Sequence, residues 1–271
     1  MNQRVVVVVP CYNEARRLDA AAFRGFIRRH AEIDFLLVND GSTDGTADVL
    51  ETLRSTDPAR FSVLTLAVNS GKAEAVRSGL LAAIDAGAAA VAYWDADLAT
   101  PLDTIPQFLE ILASRPELGM VMGSRVQLLG RRIERKLSRH YLGRAFATTV
   151  SFVLGLRVYD TQCGAKLFRV TPELRPVFAR PFLSRWIFDV EILARLLAGR
   201  RTTHLPPLDE YIYELPLLEW RDVRGSKVRS HDFLTAIPEI ARIWWTYIRR
   251  GGGSAPVPAA PRHPAAKATR E

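Results

Sequence analysis

The sequence predicts an α/β protein: a doubly wound, mostly parallel sheet with flanking helices, followed by an amphipathic helix towards the C-terminal end. Three observations predict it. Val5 to Val9 is an unbroken β-branched run, as expected of a strand buried on both faces of a parallel sheet. Over the first 125 residues, short apolar runs alternate with segments of helical period. That βαβα order folds through right-handed crossovers into a doubly wound sheet. Each apolar run also ends in polar or glycine-containing residues, and such sheets bind ligands at the carboxyl ends of their strands.

The elements follow in order. After the first strand, a helix pattern runs from about Glu14 to His30. Phe35–Val38 is the second strand, and Asp44 is placed to cap a helix over Thr46–Leu53. Ser62–Leu66 is the third strand and Gly71–Ala86 the next helix. Ala90–Trp94 is the fourth strand, followed by a helix with Pro101 in its first turn that reaches about Ala113. Met120–Met122 is a short fifth strand. Beyond Arg125 the rhythm changes: Arg131, Arg132, Arg135, Lys136, Arg139 and Arg144 surround a single acid, Glu134. Tyr141–Leu156 and Arg185–Ala198 read as helices, Tyr211–Glu214 and Leu217–Trp220 as short strands. Asp232–Arg250 is helical in pattern, interrupted or restarted at Pro238. Its Phe233, Ile237, Ile240, Trp244 and Ile248 recur on one face. Residues 251–271, rich in Gly, Ala and Pro, read as a disordered tail.

A chain of 271 residues, 48% hydrophobic and 24% charged, has ordinary globular composition and enough length for a sizeable core. With 37 Lys+Arg against 29 Asp+Glu the net charge is +8, which favours polyanionic partners: phosphates, nucleic acid or an anionic membrane surface. Cys11 and Cys163 lack metal-ligand spacing and suggest a reducing compartment. The run at Val5–Val9 is too short for a signal peptide, and the longest uncharged stretch, Ala145–Leu156, is too short to span a bilayer. These features lead us to expect a cytoplasmic protein, soluble or peripheral on a membrane.

The richest stretch is Val91-Ala-Tyr-Trp-Asp-Ala-Asp-Leu-Ala-Thr-Pro101, where an apolar strand gives way to two acids, Asp95 and Asp97. Such a pair at a strand end suits a hard cation, Mg²⁺ or Mn²⁺, shared with a substrate phosphate; the bland alternative is a loop that caps the next helix. Pro10-Cys-Tyr-Asn-Glu14, Asn39-Asp-Gly-Ser-Thr-Asp44 and Asn69-Ser-Gly-Lys72 follow the first three strands. Together these loops describe a nucleotide pocket in which Asp40 accepts hydrogen bonds from a base or ribose and Tyr12 offers a stacking face. No G-x-G-x-x-G or Walker pattern is present, which disfavours a dinucleotide fold or P-loop ATPase.

Pro10-x-Tyr-Asn-Glu14, Asn39-Asp-Gly-Ser-Thr-Asp44 and Asp95-Ala-Asp97 resemble glycosyltransferase family 2 with its GT-A fold. Asp160-Thr-Gln-Cys-Gly-x-Lys-Leu-Phe168, Arg185-Trp-x-Phe-Asp-Val-Glu191 and Trp220 followed by Gly225-Ser-Lys227 are similar to the polyprenyl-phosphate glycosyltransferases, the dolichyl-phosphate β-glucosyltransferases in particular. The resemblance covers about residues 4–250. Asn39 replaces the family's usual first Asp, Ala165 stands where an aromatic residue is common, and we expect no counterpart of the N-terminal membrane anchor of the eukaryotic enzymes.

The resemblance implies inverting, metal-dependent transfer of a hexose, glucose from UDP-glucose, to dolichyl or undecaprenyl phosphate. Residues 1–125 become the nucleotide-sugar-binding half, 126–231 the acceptor-binding half, and 232–250 a membrane-surface helix. Pro10, Tyr12, Glu14, Asp40, Lys72, Asp95, Asp97 and Lys227 would contact the nucleotide sugar, with Asp95 and Asp97 holding Mg²⁺ or Mn²⁺. Arg125 and Arg139 match positions used for the acceptor phosphate, and Asp160 joins the catalytic set. A phosphate acceptor is already ionised, so it needs cations more than a base. A hydroxyl acceptor on a glycan would instead require one, and Asp189 is the candidate. Each has a bland counterpart: Arg125 paired with an acid, Asp160 capping a turn with Thr161, Asp189 binding core polar groups, the 232–250 helix packed on the core. Trp186, Phe188 and Trp220 are read as core and Cys163 as structural. GDP-mannose is the alternative donor. A nucleic-acid partner lacks any helix-turn-helix, zinc or RRM signature, and the oligomeric state is left open.

Overall fold

The computed structural model describes residues 4–134, 137–203, 205–223 and 232–249. In chain order its strands are Val5–Cys11 (β1), Ile33–Asp40 (β2), Phe61–Leu66 (β3), Ala90–Trp94 (β4), Met120–Ser124 (β5), Arg132–Glu134 (β6), Ala165–Arg169 (β7), Ile212–Pro216 (β8) and Glu219–Arg221 (β9). One seven-stranded sheet has the order β3-β2-β1-β4-β7-β5-β8, and β6 pairs with β9 beside it. β1 to β4 are mutually parallel, β5 and β8 are parallel, and β7 runs antiparallel between β4 and β5. The sheet is therefore doubly wound and mostly parallel, as the sequence predicts.

The helices are Ala20–Ile27 (α1), Thr46–Thr56 (α2), Lys72–Asp85 (α3), Ile105–Ser114 (α4), Leu137–Leu154 (α5), Leu174–Ala179 (α6), Phe188–Thr202 (α7), Leu208–Tyr211 (α8) and Asp232–Ile243 (α9). The valine run of β1 is divided between two cores by its period of two. Val5, Val7 and Val9 pack with Phe23 and Phe26 of α1, Leu53 of α2 and Phe108 of α4. Val6 and Val8 pack with Val76 and Leu80 of α3 and Ile192 of α7. Phe188, Trp220 and Cys163 are buried, as expected, and Trp186 is partly buried against the core. From β1 the chain moves outward through β2 to β3, then returns to the opposite side of β1 for β4. That reversal opens a crevice at the carboxyl ends of β1 and β4, and this is where the sequence places its loops.

β6, α6 and α8 have no counterpart in the sequence reading, and three further differences bear on the site. The first helix starts at Ala20, not near Glu14, because the Asp19 carboxylate accepts the Ala22 N–H at 2.9 Å and caps it there. β7 reads in sequence only as a motif, since an internal lysine breaks its apolar run. The third difference is at the C-terminal end, where α9 runs into a π-helical turn, Trp244–Arg249. Its docked face is Ala236, Ile240 and Ile243, with Tyr247 and Ile248 packed on the same core. The five-residue face expected for the membrane is thus divided: Ile240 and Ile248 turn inward, Ile237 and Trp244 remain 60% and 36% exposed, and the side chain of Phe233 is outside the described residues. The wider π turn also breaks the 3.6-residue register on which the predicted face relied.

Candidate active site

The loops after β1 and β2 are stitched together. Asn13 N–H donates to Ser42 Oγ at 3.1 Å, and Thr43 N–H donates to Asn13 Oδ1 at 2.9 Å. Glu14 N–H donates to Thr46 Oγ1 at 2.8 Å. Asp44 accepts from Thr46 N–H at 3.0 Å, and the Thr46 hydroxyl and surrounding amides hold its carboxyl below the usual range. Asn39 accepts Ser42 N–H at 3.1 Å, so the residue that replaces the family's first Asp works as a turn former. Asp40 is 2% exposed and accepts Ser70 N–H at 2.7 Å and Gly71 N–H at 2.9 Å. Its carboxylate sets the course of the β3–α3 loop as well as lining the crevice.

These loops and the end of β4 enclose a cavity of about 370 Å³. Pro10, Tyr12, Glu14, Asp40, Lys72, Asp95 and Asp97 all line it, together with Cys11, Arg17, Asn69, Gly71, Ala75 and Ala96. Lys72 Nζ lies 2.5 Å from Asp95 Oδ1. Burial opposes its charge, yet Asp95, Asp189 and Asp97 outweigh that and raise the Lys72 ammonium above its ordinary pKa. Arg17, which the sequence reading missed, reaches Glu14 at 3.2 Å and Asp97 at 3.6 Å. Burial, and then the neighbouring Asp95 carboxylate, push the Asp97 carboxyl upward. Two neighbouring carboxylates lining the cavity, with the Asp97 carboxyl raised beside Asp95, fit a divalent cation. Mg²⁺ and Mn²⁺ accept one or two protein carboxylates and complete their shell with substrate phosphate and water. Asp95 and Asp97, which both line the cavity, are the two carboxylates that could hold such an ion.

Asp95 is seated by the turn before β7. Its N–H donates to Gly164 O at 3.0 Å, and a Cβ on Gly164 would lie 2.0 Å from Asp95 Oδ2. Behind that turn, Lys166 is fully buried. Its ammonium contacts Asp189 Oδ1 at 2.7 Å, Cys163 O at 2.7 Å, Thr161 O at 3.0 Å and Tyr93 Oη at 2.9 Å. The Tyr93 hydroxyl also hydrogen-bonds Asp189. Asp189 is 5% exposed, and its Oδ1 accepts from both Lys166 and Tyr93, so the candidate base of the sequence reading has a buried lysine as its counter-ion beneath the Asp95 turn.

Arg125 and Asp160 find each other. Arg125 Nε and Nη2 donate to the two Asp160 oxygens at 2.6 and 2.8 Å, and its backbone N–H adds a third bond at 3.1 Å. Although burial opposes it, Asp160 keeps the guanidinium charged, and the group stacks 5.3 Å from the Trp220 ring. The fork expected to meet an acceptor phosphate is occupied by the acid, because β5 and the loop before β7 leave the sheet side by side. Glu214 of β8 fixes that loop by accepting Tyr159 N–H at 2.8 Å and Asp160 N–H at 2.6 Å. Arg139 belongs to α5 but its side chain is outside the described residues, as is the whole of Lys227.

Comparison with known proteins bears on this geometry. Residues 6–173 match the profile of Glycosyl transferase family 2. The dolichyl-phosphate β-glucosyltransferase ALG5A of Trichomonas vaginalis is 31% identical over 250 residues, covering 88% of this chain and 72% of the relative. The dolichyl-phosphate β-glucosyltransferase of Saccharomyces cerevisiae is 31% identical over 243 residues, covering 82% and 68%. Among solved structures, glucosyl-3-phosphoglycerate synthase from Mycobacterium tuberculosis in complex with Mn²⁺, UDP and glucosyl-3-phosphoglycerate superposes with TM-score 0.59 at 19% identity, over 94% of this chain and 81% of that one. The mannosyltransferase PcManGT from Pyrobaculum calidifontis, in complex with GDP-Man and Mn²⁺, gives TM-score 0.58 at 18% identity, over 93% and 66%. At these identities the structural likeness concerns the fold.

Proposed function

Because the chain belongs to glycosyl transferase family 2 and is a glycosyltransferase, we propose that it transfers glucose from UDP-glucose, with inversion, to the phosphate of a polyprenyl lipid. The supporting observation is the convergence of Asp40, Lys72, Asp95 and Asp97 on one cavity at the sheet's switch point. The glucosyl group and the lipid phosphate are taken from relatives that carry those names.

Asp40 and the loop it shapes receive the nucleoside. Lys72 meets the diphosphate, exchanging its contact with Asp95 for one with the leaving group. Asp95 and Asp97 hold Mg²⁺ or Mn²⁺, which when bound supplies the charge that neutralises the departing diphosphate. An ionised oxygen of the lipid phosphate attacks the anomeric carbon opposite the diphosphate. One C–O bond forms as the other breaks, and the configuration inverts. No proton has to be removed from the nucleophile, which agrees with Asp189 being engaged elsewhere. Arg139 is the cation assigned to the lipid phosphate and Lys227 stays with the nucleotide sugar, while Arg125 and Asp160 shape the wall beside the acceptor.

The lipid's tail stays in the bilayer, so the enzyme works on a membrane surface. No helix of the described residues is long and apolar enough to cross a membrane. The surface assigned to the bilayer is instead the outward side of α9, the π-helical turn that follows it and α5: Ile237, Trp244 and Trp245, with Tyr141 and Phe152, which are 69% and 89% exposed. Arg249 stacks 4.2 Å from the Trp245 ring, an aromatic and cationic pairing suited to an interface with anionic headgroups.

Radiolabelled UDP-glucose and GDP-mannose, each offered with a polyprenyl phosphate and Mg²⁺ or Mn²⁺, test the proposal. Label from UDP-glucose should enter the organic phase only when lipid phosphate and metal are both present. Transfer from GDP-mannose alone would overturn the donor. Label confined to a water-soluble glycan would overturn the acceptor.

A further inference from the structure

The loop between α6 and α7 carries an arginine that the mechanism above does not use. Arg185 is exposed, and its guanidinium lies over Gly71 at the lip of the donor cavity. A Cβ built on Gly71 would meet Arg185 Nε at 3.0 Å and Nη2 at 3.1 Å, and Gly71 itself has φ +93°, a conformation glycine adopts without strain. Gly71 stands between the two ends of the site. Its N–H is held by Asp40, and the next residue, Lys72, reaches Asp95. The guanidinium therefore overlooks the position between the nucleoside acid and the metal acids. Its charge is also available: no carboxylate of the described residues pairs with it, whereas Arg125, Arg195 and Arg200 are paired with Asp160, Glu191 and Glu173.

The backbone beneath Arg185 is braced on both sides. Ser184 Oγ donates to Glu239 of α9 at 2.6 Å and accepts the Trp186 and Ile187 N–H groups at 3.1 and 2.8 Å. The fully buried Glu191 accepts Leu183 N–H at 2.7 Å, Arg195 at 2.7 Å and the Tyr247 hydroxyl at 3.0 Å. Arg195 in turn donates to the carbonyls of Arg180 and Pro181 at 2.8 and 2.6 Å. Buried ion pairs contribute little net stability compared with apolar packing and are retained where they fix a geometry. Here they fix the loop that presents Arg185.

We propose that Arg185 is a further ligand of the donor's diphosphate, its fork closing on the phosphate oxygens beside Lys72, and that α9 positions it through Glu239 and Ser184. The inference rests on the cavity being the nucleotide-sugar site. A planar, permanently charged guanidinium suits a diphosphate because it offers two parallel N–H donors.

The test is calorimetric titration of UDP, UMP, GDP and GMP into the full chain with Mn²⁺, comparing the parent protein with Arg185→Ala, Arg185→Lys and Glu239→Ala. One charge-assisted contact corresponds to a loss of roughly tenfold or more, so Arg185→Ala should weaken the diphosphate by about that factor and change the monophosphate by less than about twofold. Arg185→Lys should recover part of the loss. Glu239→Ala, which touches nothing in the cavity, should show the same discrimination in weaker form. Equal losses for mono- and diphosphate would mark a structural role and overturn the inference, as would parent-like diphosphate binding by Arg185→Ala. Parent-like binding by Glu239→Ala would overturn the positioning role of α9. A parent protein that binds neither UDP nor GDP would overturn the donor site itself, an outcome distinct from these.

Discussion

Replacing Gly164 by alanine tests the seating of Asp95, a proposed metal ligand, with a single methyl group. The backbone of Gly164 is tied to Asp95 by a 3.0 Å hydrogen bond, so neither partner shifts freely. The added Cβ would fall 2.0 Å from Asp95 Oδ2, 2.2 Å from its Cγ and 2.5 Å from Oδ1. All three are closer than carbon and oxygen atoms approach without bonding, so the carboxylate must retreat by about 1 Å or swing away. Overpacking of this kind costs about 1–3 kcal/mol of stability. Misplacing a catalytic group by about 1 Å costs on the order of a hundredfold in rate. The expected outcome is a folded protein with a modestly lowered Tm, Mn²⁺-dependent UDP binding weakened about 10–100-fold, and transfer reduced further. Calorimetry with and without Mn²⁺, thermal melts and initial rates read the three quantities. Gly199→Ala in α7 is the control, because a Cβ there meets nothing within 4 Å. It should leave binding unchanged and stability equal or higher. If Gly164→Ala binds UDP and Mn²⁺ like the parent, Asp95 is not seated by this turn or does not hold the metal.

Asp97→Asn should abolish Mn²⁺-dependent nucleotide binding with little effect on Tm. Since burial and Asp95 raise the Asp97 carboxyl, protons compete with the metal above the ordinary carboxylate range. Mn²⁺ affinity should therefore rise with pH through that window in the parent, and a flat profile would contradict the assignment. Lys166→Met leaves Asp189 buried without its counter-ion and should cost about 3–5 kcal/mol by denaturant titration, part of it restored in Lys166→Met/Asp189→Asn. Trp244→Ser with Trp245→Ser should reduce sedimentation with anionic vesicles at unchanged Tm. Ile243→Ala, inside the core, should instead lower stability by about 2–5 kcal/mol, and the reverse pattern would place the tryptophans in the core.

The cavity was largely legible because its residues follow strands. Tyr12, Asp40, Lys72 and Asp97 are far apart in sequence, but each comes shortly after an apolar run on a parallel sheet, and parallel strands deliver their ends to one edge. What the sequence did not reveal are pairings made by side-by-side loops. Arg125 and Asp160 are 35 residues apart, and neither spacing nor composition announces a bidentate pair. The antiparallel β7 was hidden by Lys166, a charge in an otherwise apolar run. That anomaly was the available signal, since a lysine in a central strand demands a buried acid. Arg17 lay within a stretch read as helix, and its turn around Glu14 depends on a cap at Asp19 that pattern reading did not weigh. The π turn at Trp244 rotates the C-terminal face in a way that no fixed period anticipates.

The antiparallel strand has a consequence for where this chain tolerates insertion. β7 pairs Ala165 with Trp94 and Lys166 with Tyr93, so it is locked in register against the strand that runs into Asp95 and Asp97. Side chains alternate faces along a strand, and a shift of one residue exchanges them. Deleting a single residue between Asp160 and Gly164 would turn the Lys166 ammonium away from Asp189 and drive Leu167 into its place, and adding one would bring Ala165 there instead. The turn at Gly87, on the far side of the sheet, faces open space and precedes a strand whose register other pairings maintain. Tags, linkers or reporter domains belong there, and length variation among natural relatives should be rare before β7 and common at the opposite edge.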